Sequence, residues 1–325
     1  MVRAAFFPSE TDGRKETEAF VVLYDVIIAG GGPAGLTAAI YAARAGFSTL
    51  VLEKAAPGGQ AALTYRIDNY PGFKNISGSE LAADFEAHVR DAGAELRLEE
   101  AVGFELGGET KTVATRSGTY QGRAVILALG SERRKLGVPG EAEFSGHGVS
   151  YCATCDGNFF RGKDVAVVGG GNTAVGYAVE LSELCREVTL VYHGEHLSAM
   201  DSLLRQMKAR PNVRVLYRSE VREVLGTQKV ERLRLHDTRS GEESTLDVSG
   251  VFIAIGMIPN GGMLAPSLVL PGGFVRADEN GATPVPGVFA AGDLRKKQLY
   301  QIVTAMSDGA NAAYSAQRYL QGRNG

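Results

Sequence analysis

The sequence lacks the features that mark two large functional classes. No run of lysine and arginine forms the basic patch that is typical of nucleic-acid-binding proteins, and the formal net charge is −3. No apolar stretch approaches the ~20 residues that a helix needs to cross a bilayer. The longest candidates, such as residues 165–168, have the length of a strand. We therefore expect no nucleic-acid partner and no membrane partner.

Cysteine is also scarce, with three residues in a chain of 325. Three cysteines cannot form the disulfide scaffold of a small secreted protein, and we expect a cytoplasmic protein in a reducing environment. Cys185 lies in an apolar run of helical period and is predicted to be buried and inert. Residues 1–20 lack the apolar core of a signal peptide and are expected to form a flexible N-terminal extension.

Glycine, by contrast, is abundant. The 42 glycines exceed the usual level of about 7%, and they cluster at residues 30–32, 58–59, 169–171 and 261–262. This clustering predicts close approach of the backbone to ligands. The apolar fraction of 44% and the charged fraction of 22% are those of a soluble globular protein. The length suggests about two domains.

A first nucleotide-binding unit opens the chain. Residues 24–29 form a short apolar run typical of a buried parallel strand, and residues 34–45 carry small and apolar side chains at helical spacing. Residues 48–52 form a second strand. Together they predict a βαβ unit with a glycine-rich turn between the first strand and the helix.

The glycine-rich turn fits the pattern G-x-G-x-x-G at Gly30, Gly32 and Gly35. In this pattern the first glycine permits the tight turn, the second lets the backbone approach a pyrophosphate, and the third lets the helix pack against the strand. The phosphate then lies at a helix N-terminus, which favours an anion. Glu53 ends the second strand, where a carboxylate can accept a hydrogen bond from a ribose hydroxyl.

The same pattern recurs later in the chain. Residues 164–168 predict a strand, the motif G-x-G-x-x-A follows at residues 169–174, and residues 173–184 predict a helix. A second strand covers residues 187–192. The chain therefore contains two dinucleotide-binding units.

The connections predict that one unit is inserted in the other. Residues 124–129 and 251–255 each form an apolar strand that ends at a glycine, where we expect the chain to pass between domains. Residues 287–293 predict a further strand and turn, and a helix is predicted over residues 302–320. The aspartate of that turn, Asp293, suits a polyol or ribityl hydroxyl.

A Cys-x-x-Cys motif lies just before the second glycine motif. Taken alone, Cys152 and Cys155 can form a redox disulfide, half of a zinc site, or two unrelated thiols. The zinc site needs a second pair of ligands, which Cys185 and a histidine can supply only by coincidence. The position between two nucleotide units favours a disulfide that receives electrons from cofactors, and no metal is expected. Asp156 is either a proton donor to this pair or an acid in the first turn of a helix.

The ordered set of motifs resembles the low-molecular-weight thioredoxin reductases of bacteria, which belong to class II of the FAD-dependent pyridine nucleotide-disulfide oxidoreductases. The motifs are the first glycine motif with Glu53, the sequence CATCD at residues 152–156, GGGNTA at residues 169–174, and GVFAAGD at residues 287–293. The similarity runs from about residue 24 to residue 320. The position of CATCD directly before the second nucleotide unit is the specific feature of this family.

The resemblance implies two cofactor sites. The residues implied for FAD are Gly30, Gly32, Pro33, Ala34, Gly35, Glu53, Gly59, Gln60, Asn69, Val102, Asp293 and Gln301. The residues implied for NADPH are Gly169, Gly171, Asn172, Thr173, Ala174 and His193.

The resemblance also implies the roles of the redox residues. Cys155 would face the flavin, Cys152 would attack the disulfide of thioredoxin, and Asp156 would exchange the proton. The family rotates one domain against the other, for which we expect hinges near Gly130 and Gly256, and its members form homodimers. Because the chain has a single Cys-x-x-Cys, thioredoxin would be a partner in trans.

One strand end departs from the family pattern His-Arg-Arg-x-x-x-Arg, whose arginines hold the 2′-phosphate of NADPH. The corresponding positions are His193, Gly194 and Ser198. A phosphate loses charge-assisted partners there. We therefore expect NADPH as the donor, with a weakened preference over NADH, which the protein can also use. Arg186, Arg205 and Lys208 are the candidates for compensation.

The predicted fold is α/β, with two Rossmann-like dinucleotide-binding domains (three-layer ββα/βαβ), the second inserted in the first. Residues 21–133 and 254–325 are assigned to FAD, and residues 134–253 to NAD(P)H and the CATC motif. The predicted function is thioredoxin reductase. The alternatives are the same chemistry on another small disulfide protein, a reductase fed by ferredoxin, and a binding or sensor protein without catalysis.

Overall fold

The computed structural model describes residues 22–64 and 67–322. The predicted extension of residues 1–20 lies outside the described residues. The described part of the chain divides into two compact units, of which the first combines the described residues up to Glu132 with those from Pro259 onward, and the second covers Arg133–Ile258. The second unit is thus an insertion in the chain of the first.

The first segment of unit 1 alternates strands and helices before an antiparallel meander. Its elements are β1 (Leu23–Ala29), α1 (Pro33–Arg44), β2 (Thr49–Leu52), α2 (Gly59–Ala62), α3 (Gly78–Asp91), β3 (Glu95–Arg97), β4 (Ala101–Glu105), β5 (Lys111–Thr115) and β6 (Thr119–Leu127).

The chain then passes through β7 (Ser131–Arg133) into unit 2 and leaves it through β16. The elements are β8 (Val149–Ser150), α4 (Ala153–Asp156), β9 (Asp164–Val168), α5 (Asn172–Ser182), β10 (Glu187–Val191), α6 (Asp201–Lys208), β11 (Val213–Leu216), β12 (Ser219–Gly226), β13 (Val230–Asp237), β14 (Glu243–Asp247), β15 (Gly250–Ile253) and β16 (Met257–Pro259). The two connecting strands β7 and β16 pair with each other. The predicted hinge glycines Gly130 and Gly256 lie next to these strands, both with positive φ, and the rotation stays a prediction.

Unit 1 is completed by β17 (Val288–Ala290), which returns to pair with β6, and by the long helix α7 (Ile302–Gln321). Its sheet has the order β3-β2-β1-β6-β5-β4. Strands β3, β2, β1, β6 and β17 run parallel, whereas β4 and β5 are antiparallel. The helices α1, α3 and α7 pack against one face of the parallel part.

Unit 2 repeats this architecture with a parallel sheet of order β11-β10-β9-β15-β8 and a separate antiparallel sheet of order β12-β13-β14. In each unit one apolar cluster lies between the parallel sheet and its helices and another lies on the opposite face. The predicted α/β fold with two Rossmann-like units is confirmed. Among the described residues, no helix is both long enough and apolar enough to cross a membrane.

Candidate functional site

The first glycine loop leaves open space at one glycine and none at the others. Gly30 has φ +107°, and a Cβ at this position would collide with the backbone of Ala128. A Cβ at Gly35 would collide with the carbonyl of Gly30. At Gly32, which caps the N-terminus of α1 ahead of Pro33, a Cβ would have no atom within 4 Å. The loop therefore forms a tight turn with a free surface at a helix N-terminus, which suits a phosphate.

The carboxylate of Glu53 is tied to this loop. Glu53 is buried, and its two oxygens accept hydrogen bonds from the backbone N–H of Gly31 at 2.6 Å and of Ala55 at 2.9 Å. Each carboxylate oxygen can accept a second hydrogen bond. The position remains suited to a ribose hydroxyl, and the backbone contacts hold the carboxylate beside the glycine turn.

A cavity of about 490 Å³ lies at this edge of the sheet of unit 1. It is lined by Gly30, Leu52, Glu53, Lys54, Glu100, Ala101, Leu129, Pro259, Asn260, Gly262 and Met263. The predicted FAD residue Val102 is 42% exposed and lies beside this lining without being part of it. Sequence reasoning missed Asn260, whose side-chain nitrogen donates to the carbonyl of Leu129 at 3.0 Å. Its only signal was its place in a Pro-Asn turn after an apolar strand.

Two further groups of predicted FAD residues also come together. The backbone N–H of Gly58 donates to the carbonyl of Gly31 at 2.7 Å. A Cβ at Gly59 would lie 3.1 Å from the Cα of Gly32, so the start of α2, with Gln60, lies close to the glycine loop. The side chains of Asn69 and Gln301, far apart in sequence, share a hydrogen bond of 3.0 Å.

Asp293 carries a buried oxygen that lacks a hydrogen bond. Its Oδ1 has no hydrogen-bond partner among the described residues, although the ammonium of Lys297 lies 3.2 Å away. Lys297 also pairs with Asp308 at 3.1 Å, and Asp308 pairs with Arg295 at 2.7 Å. Buried polar atoms are rarely left unpaired. An acceptor that has an ion-pair partner but no hydrogen bond fits a hydroxyl donor such as that of a ribityl chain.

In unit 2, Cys152 and Cys155 form a disulfide bond, with Cα atoms 5.3 Å apart. Cys152 caps the short helix α4, and its sulfur accepts the backbone N–H of Cys155 at 3.2 Å. The third cysteine, Cys185, is buried elsewhere in the unit, and burial raises the pKa of its thiol to about 11. No group of three or more histidine, cysteine or acidic side chains that could hold a metal occurs in the part of the chain that the structure describes.

Asp156 is joined to the disulfide through Ser150. The hydroxyl of Ser150 donates to Oδ2 of Asp156 at 2.6 Å, and the hydroxyl oxygen of Ser150 accepts the backbone N–H of Cys152 at 3.1 Å. Ser150 is buried at the end of β8. The carboxylate is therefore oriented toward the segment that carries the cysteines. Sequence reasoning did not single out Ser150, because only folding brings its hydroxyl to Asp156.

The segment before the disulfide is anchored by a buried carboxylate. Glu141 accepts hydrogen bonds from the backbone N–H groups of Leu136 and Gly137 at 2.9 and 2.7 Å, and from the hydroxyl of Tyr151 at 2.8 Å. Burial, together with Glu141, raises the pKa of Tyr151 above its usual value. The carbonyl of Tyr151 in turn accepts the hydroxyl of Tyr177 at 3.2 Å. These contacts position the residue that precedes Cys152.

A second carboxylate contacts the Cys-x-x-Cys motif itself. The hydroxyl of Thr154 donates to Oε2 of Glu180, on α5, at 3.1 Å. Glu180 is half-buried, and desolvation raises the pKa of its carboxyl above the usual value. The motif is thus linked to the helix that begins at the second glycine loop.

The second glycine loop resembles the first in its geometry. Gly169 has φ +140°, and its backbone N–H donates to the carbonyl of Val191 at 3.0 Å. A Cβ at Gly171 would have only the hydroxyl of Ser198, at 3.9 Å, within 4 Å. Ala174 is fully buried under the loop, Thr173 is exposed, and the side chain of Asn172 accepts the backbone N–H of Met200 at 2.8 Å. An open helix N-terminus therefore also exists in unit 2.

The strand end that lacks the family arginines lies against this loop. Ser198 donates its backbone N–H to the carbonyl of Gly170 at 2.8 Å, and the ring of His193 packs on that of Tyr192 with centroids 4.8 Å apart. Arg186, a candidate for compensation, pairs instead with Asp164. These two residues lie where β9 and β10 begin, at the opposite end of the strands from the glycine loop.

Comparison with known proteins agrees with these motifs. A family model described as pyridine nucleotide-disulphide oxidoreductase matches residues 24–309. The chain is 44% identical over 304 residues to a thioredoxin reductase of Bacillus subtilis, covering 92% of this chain and 95% of that protein. It is also 44% identical to a bifunctional thioredoxin reductase/thioredoxin of Mycobacterium leprae, covering 92% of this chain and 66% of that protein.

A solved structure is similar throughout. The crystal structure of thioredoxin reductase from Streptococcus pyogenes has a TM-score of 0.86 and 40% sequence identity, and the match covers 93% of this chain and 99% of that one. The similarity therefore extends over both units and is not confined to the glycine motifs.

Proposed function

The chain belongs to the pyridine nucleotide-disulphide oxidoreductase family, and we propose that within it the protein is a thioredoxin reductase. With FAD and NADPH bound, the protein would reduce the Cys152–Cys155 disulfide, and the resulting cysteine pair would reduce oxidised thioredoxin. The observation that carries this proposal is a disulfide beside a carboxylate, in a unit that has its own nucleotide-binding loop.

Unit 1 supplies the residues that would hold FAD. The open surface at Gly32 suits the pyrophosphate, Glu53 suits a ribose hydroxyl, and Oδ1 of Asp293, which lacks a hydrogen bond, suits the ribityl chain. Asn69 and Gln301, joined by a hydrogen bond, complete the set. When bound, FAD supplies the two-electron chemistry that links a nicotinamide to a disulfide.

The cysteines carry the exchange with the substrate. Reduction by one electron pair opens the Cys152–Cys155 bond. The thiolate of Cys152 then attacks the disulfide of thioredoxin, forms a mixed disulfide and releases one thioredoxin thiol. Cys155 attacks the sulfur of Cys152, which restores the starting disulfide and releases the second thiol. Asp156 holds the proton that must leave or reach a cysteine sulfur, and Ser150 orients its carboxylate.

We include a cytoplasmic homodimer in the proposal. The support is the family resemblance and the small number of cysteines, with the remaining thiol, Cys185, buried. Sedimentation analysis of the purified protein tests the dimer, which a monomer at micromolar concentration would exclude.

Anaerobic titration of the purified yellow protein with NADPH, followed by oxidised thioredoxin, tests every electron transfer in the proposed reaction. We expect flavin bleaching by NADPH and its reversal on addition of thioredoxin. Cys152→Ser and Cys155→Ser should keep flavin reduction by NADPH but lose thioredoxin turnover, whereas Cys185→Ala should behave as the unmodified protein. Full disulfide-reducing turnover in Cys152→Ser would exclude the dithiol mechanism. Insulin-coupled assays with several small disulfide proteins distinguish thioredoxin from another acceptor.

NADH is a second candidate for the electron donor, because the family arginines are replaced by His193, Gly194 and Ser198. The ratio of kcat/KM for the two nucleotides measures the preference. Of the possible reversions, Ser198→Arg is the cleaner test, because a Cβ at Gly194 would lie 2.6 Å from the ring of Tyr192 and force that ring to move. A higher NADPH affinity in Ser198→Arg would show that this position faces the phosphate.

A further inference from the structure

Two parallel strands of unit 2 end side by side at the edge that carries the second glycine loop. β10 ends at Val191 and β11 at Leu216, so the residues that follow both strands lie at the same edge. The backbone N–H of Arg218 donates to the carbonyl of Gly194 at 3.1 Å, and that of Ser219 donates to the carbonyl of Tyr192 at 3.0 Å. Arg218 is thus attached to the segment from which the family arginines are missing. In open α/β sheets this carboxyl edge is where nucleotides bind.

We propose that Arg218 binds the 2′-phosphate of NADPH and so determines the nucleotide preference of this protein. The inference rests on the proposed function only in that a nicotinamide nucleotide is the electron donor. It assigns the phosphate to a cation in the turn that follows the neighbouring strand β11, instead of to the strand end that usually carries the arginines.

The backbone of Arg218 is the first support. Its φ of 53° is the only positive φ at a residue other than glycine among the residues that the structure describes. This left-handed region is sterically unfavourable for a residue with a long side chain. Such conformations occur preferentially at functional sites, where the surrounding contacts maintain them. Here the hydrogen bond to Gly194 and the bond from the N–H of Thr238 to the carbonyl of Arg218, at 2.7 Å, hold the residue.

The side chain of Arg218 is the second support. Its charged partner is Glu195, with Nη1 and Oε1 separated by 3.9 Å, and its Nε has no hydrogen-bond partner among the described residues. The Glu195 side chain is 66% exposed and that of Arg218 40%, so the pair is solvated and weak. A guanidinium with most of its donors unused matches the geometry of a phosphate. Because a phosphate dianion carries more charge than a carboxylate, it can displace Glu195.

The other candidate cations are placed less favourably. Arg186 pairs with Asp164 at the opposite end of the strands. Arg205 and Lys208 are exposed on α6, and their side chains make no hydrogen bond or ion pair within the described part of the chain. Among those same residues, Arg218 is the only cation whose backbone is hydrogen-bonded to residues 192–194.

Calorimetric titration of the oxidised holoprotein with 2′,5′-ADP and with 5′-AMP tests the proposal without any turnover. The two probes differ only in the 2′-phosphate. We expect the unmodified protein to bind 2′,5′-ADP more tightly, with a stronger dependence on salt. Arg218→Gln should lose about tenfold in affinity for 2′,5′-ADP, as expected for one charge-assisted contact, and less than about twofold for 5′-AMP. Arg218→Lys should recover part of the loss.

A matched control is Arg232→Gln. Arg232 is also about half-exposed and paired with one acidic residue, Asp247, but lies on the antiparallel sheet. The Arg232→Gln variant should bind both probes as the unmodified protein does. Equal affinity of the unmodified protein for both probes, or an unchanged ratio in Arg218→Gln, would overturn the proposal.

Arg218→Gly separates binding from folding. Glycine relieves the left-handed backbone, so the thermal unfolding temperature should stay equal or rise while the 2′,5′-ADP affinity falls. Retained affinity in this variant would show that the side chain has no role.

Failure of thioredoxin turnover would contradict the proposed function and leave these binding results intact. Normal turnover with an unchanged affinity ratio in Arg218→Gln would contradict the assignment of Arg218 alone.

Discussion

The hydroxyl of Ser150 donates to the carboxylate of Asp156 across 2.6 Å. Because the same hydroxyl oxygen receives the backbone N–H of Cys152 at 3.1 Å, one buried serine connects the proposed proton carrier to the redox disulfide. A proton can be exchanged with a cysteine only if the carboxylate is held in place when the disulfide opens. Ser150 therefore acts as a positioning residue for Asp156.

Removal of this connection should slow the reduction of thioredoxin without slowing flavin reduction. We expect Asp156→Asn to lower kcat by about 10²-fold, the lower range for loss of a general acid or base. Ser150→Ala should lower kcat less than Asp156→Asn does, and it should change the pH dependence of kcat. Stopped-flow measurement of flavin reduction by NADPH, beside steady-state turnover, separates the two steps. Ser145→Ala, at an exposed serine, is the control. A pH profile of Ser150→Ala that matches the unmodified protein would argue against the positioning role.

The anchor at Glu141 should contribute to the stability of unit 2. Its side chain is 3% exposed and accepts three hydrogen bonds. In Glu141→Gln the amide nitrogen cannot accept, so a buried donor loses its partner at a cost of about 1–3 kcal/mol. Urea denaturation measures the difference. Glu143→Gln, an exposed neighbour, should leave the unfolding free energy unchanged, and equal values for both variants would contradict the prediction.

The two glycines of the first loop should fail in different ways. Gly35→Ala places a Cβ against the carbonyl of Gly30 and should lower the thermal stability of the apoprotein. Gly32→Ala meets no atom within 4 Å and should fold normally, but with less bound FAD because the methyl group occupies the expected phosphate surface.

The ratio of flavin to protein absorbance and the unfolding temperature of the apoprotein measure these two effects. Gly107→Ala, where a Cβ also has open space, should change neither. Full FAD content in Gly32→Ala would place the pyrophosphate elsewhere.

Glu180 should make the stability of unit 2 depend on pH. Desolvation raises its carboxyl pKa, outweighing the hydrogen bond from Thr154. A carboxyl whose pKa is higher in the folded state than in the unfolded state loses stability as the pH rises from the unfolded pKa through the folded pKa. Glu180→Gln should therefore raise the unfolding temperature at pH 7 and change it little at pH 4. Calorimetry at both pH values measures this, with Glu143→Gln as the control. A larger rise of the unfolding temperature at pH 4 than at pH 7 would contradict the prediction.

Much of the fold could be predicted because it depends on local patterns. The strand predicted over residues 164–168 has the same bounds as β9. The roles assigned to Gly30 and Gly35 agree with the collisions that a side chain would cause there. A glycine turn between a buried strand and a helix involves neighbours in sequence, so its pattern is visible without the tertiary structure.

The features that were missed depend on residues far apart in the chain. The antiparallel strands β12, β13 and β14 were not predicted from the sequence. Asn260 reaches the cavity of unit 1 only because the chain returns to that unit after a long insertion. The candidates named to replace the missing arginines were close in sequence, whereas Arg218 lies in the turn after the next strand, β11.

The sequence alone determined the two nucleotide-binding units, the order of the motifs and the redox pair, because each is encoded by residue type and spacing within a short segment. Only the tertiary structure decided which side chains surround them. Strand pairing brings Arg218 to the end of β10, and folding places Ser150 against Asp156 and Glu141 under Tyr151. A hydrogen bond or ion pair depends on distance in space, and that distance is not determined by separation along the chain.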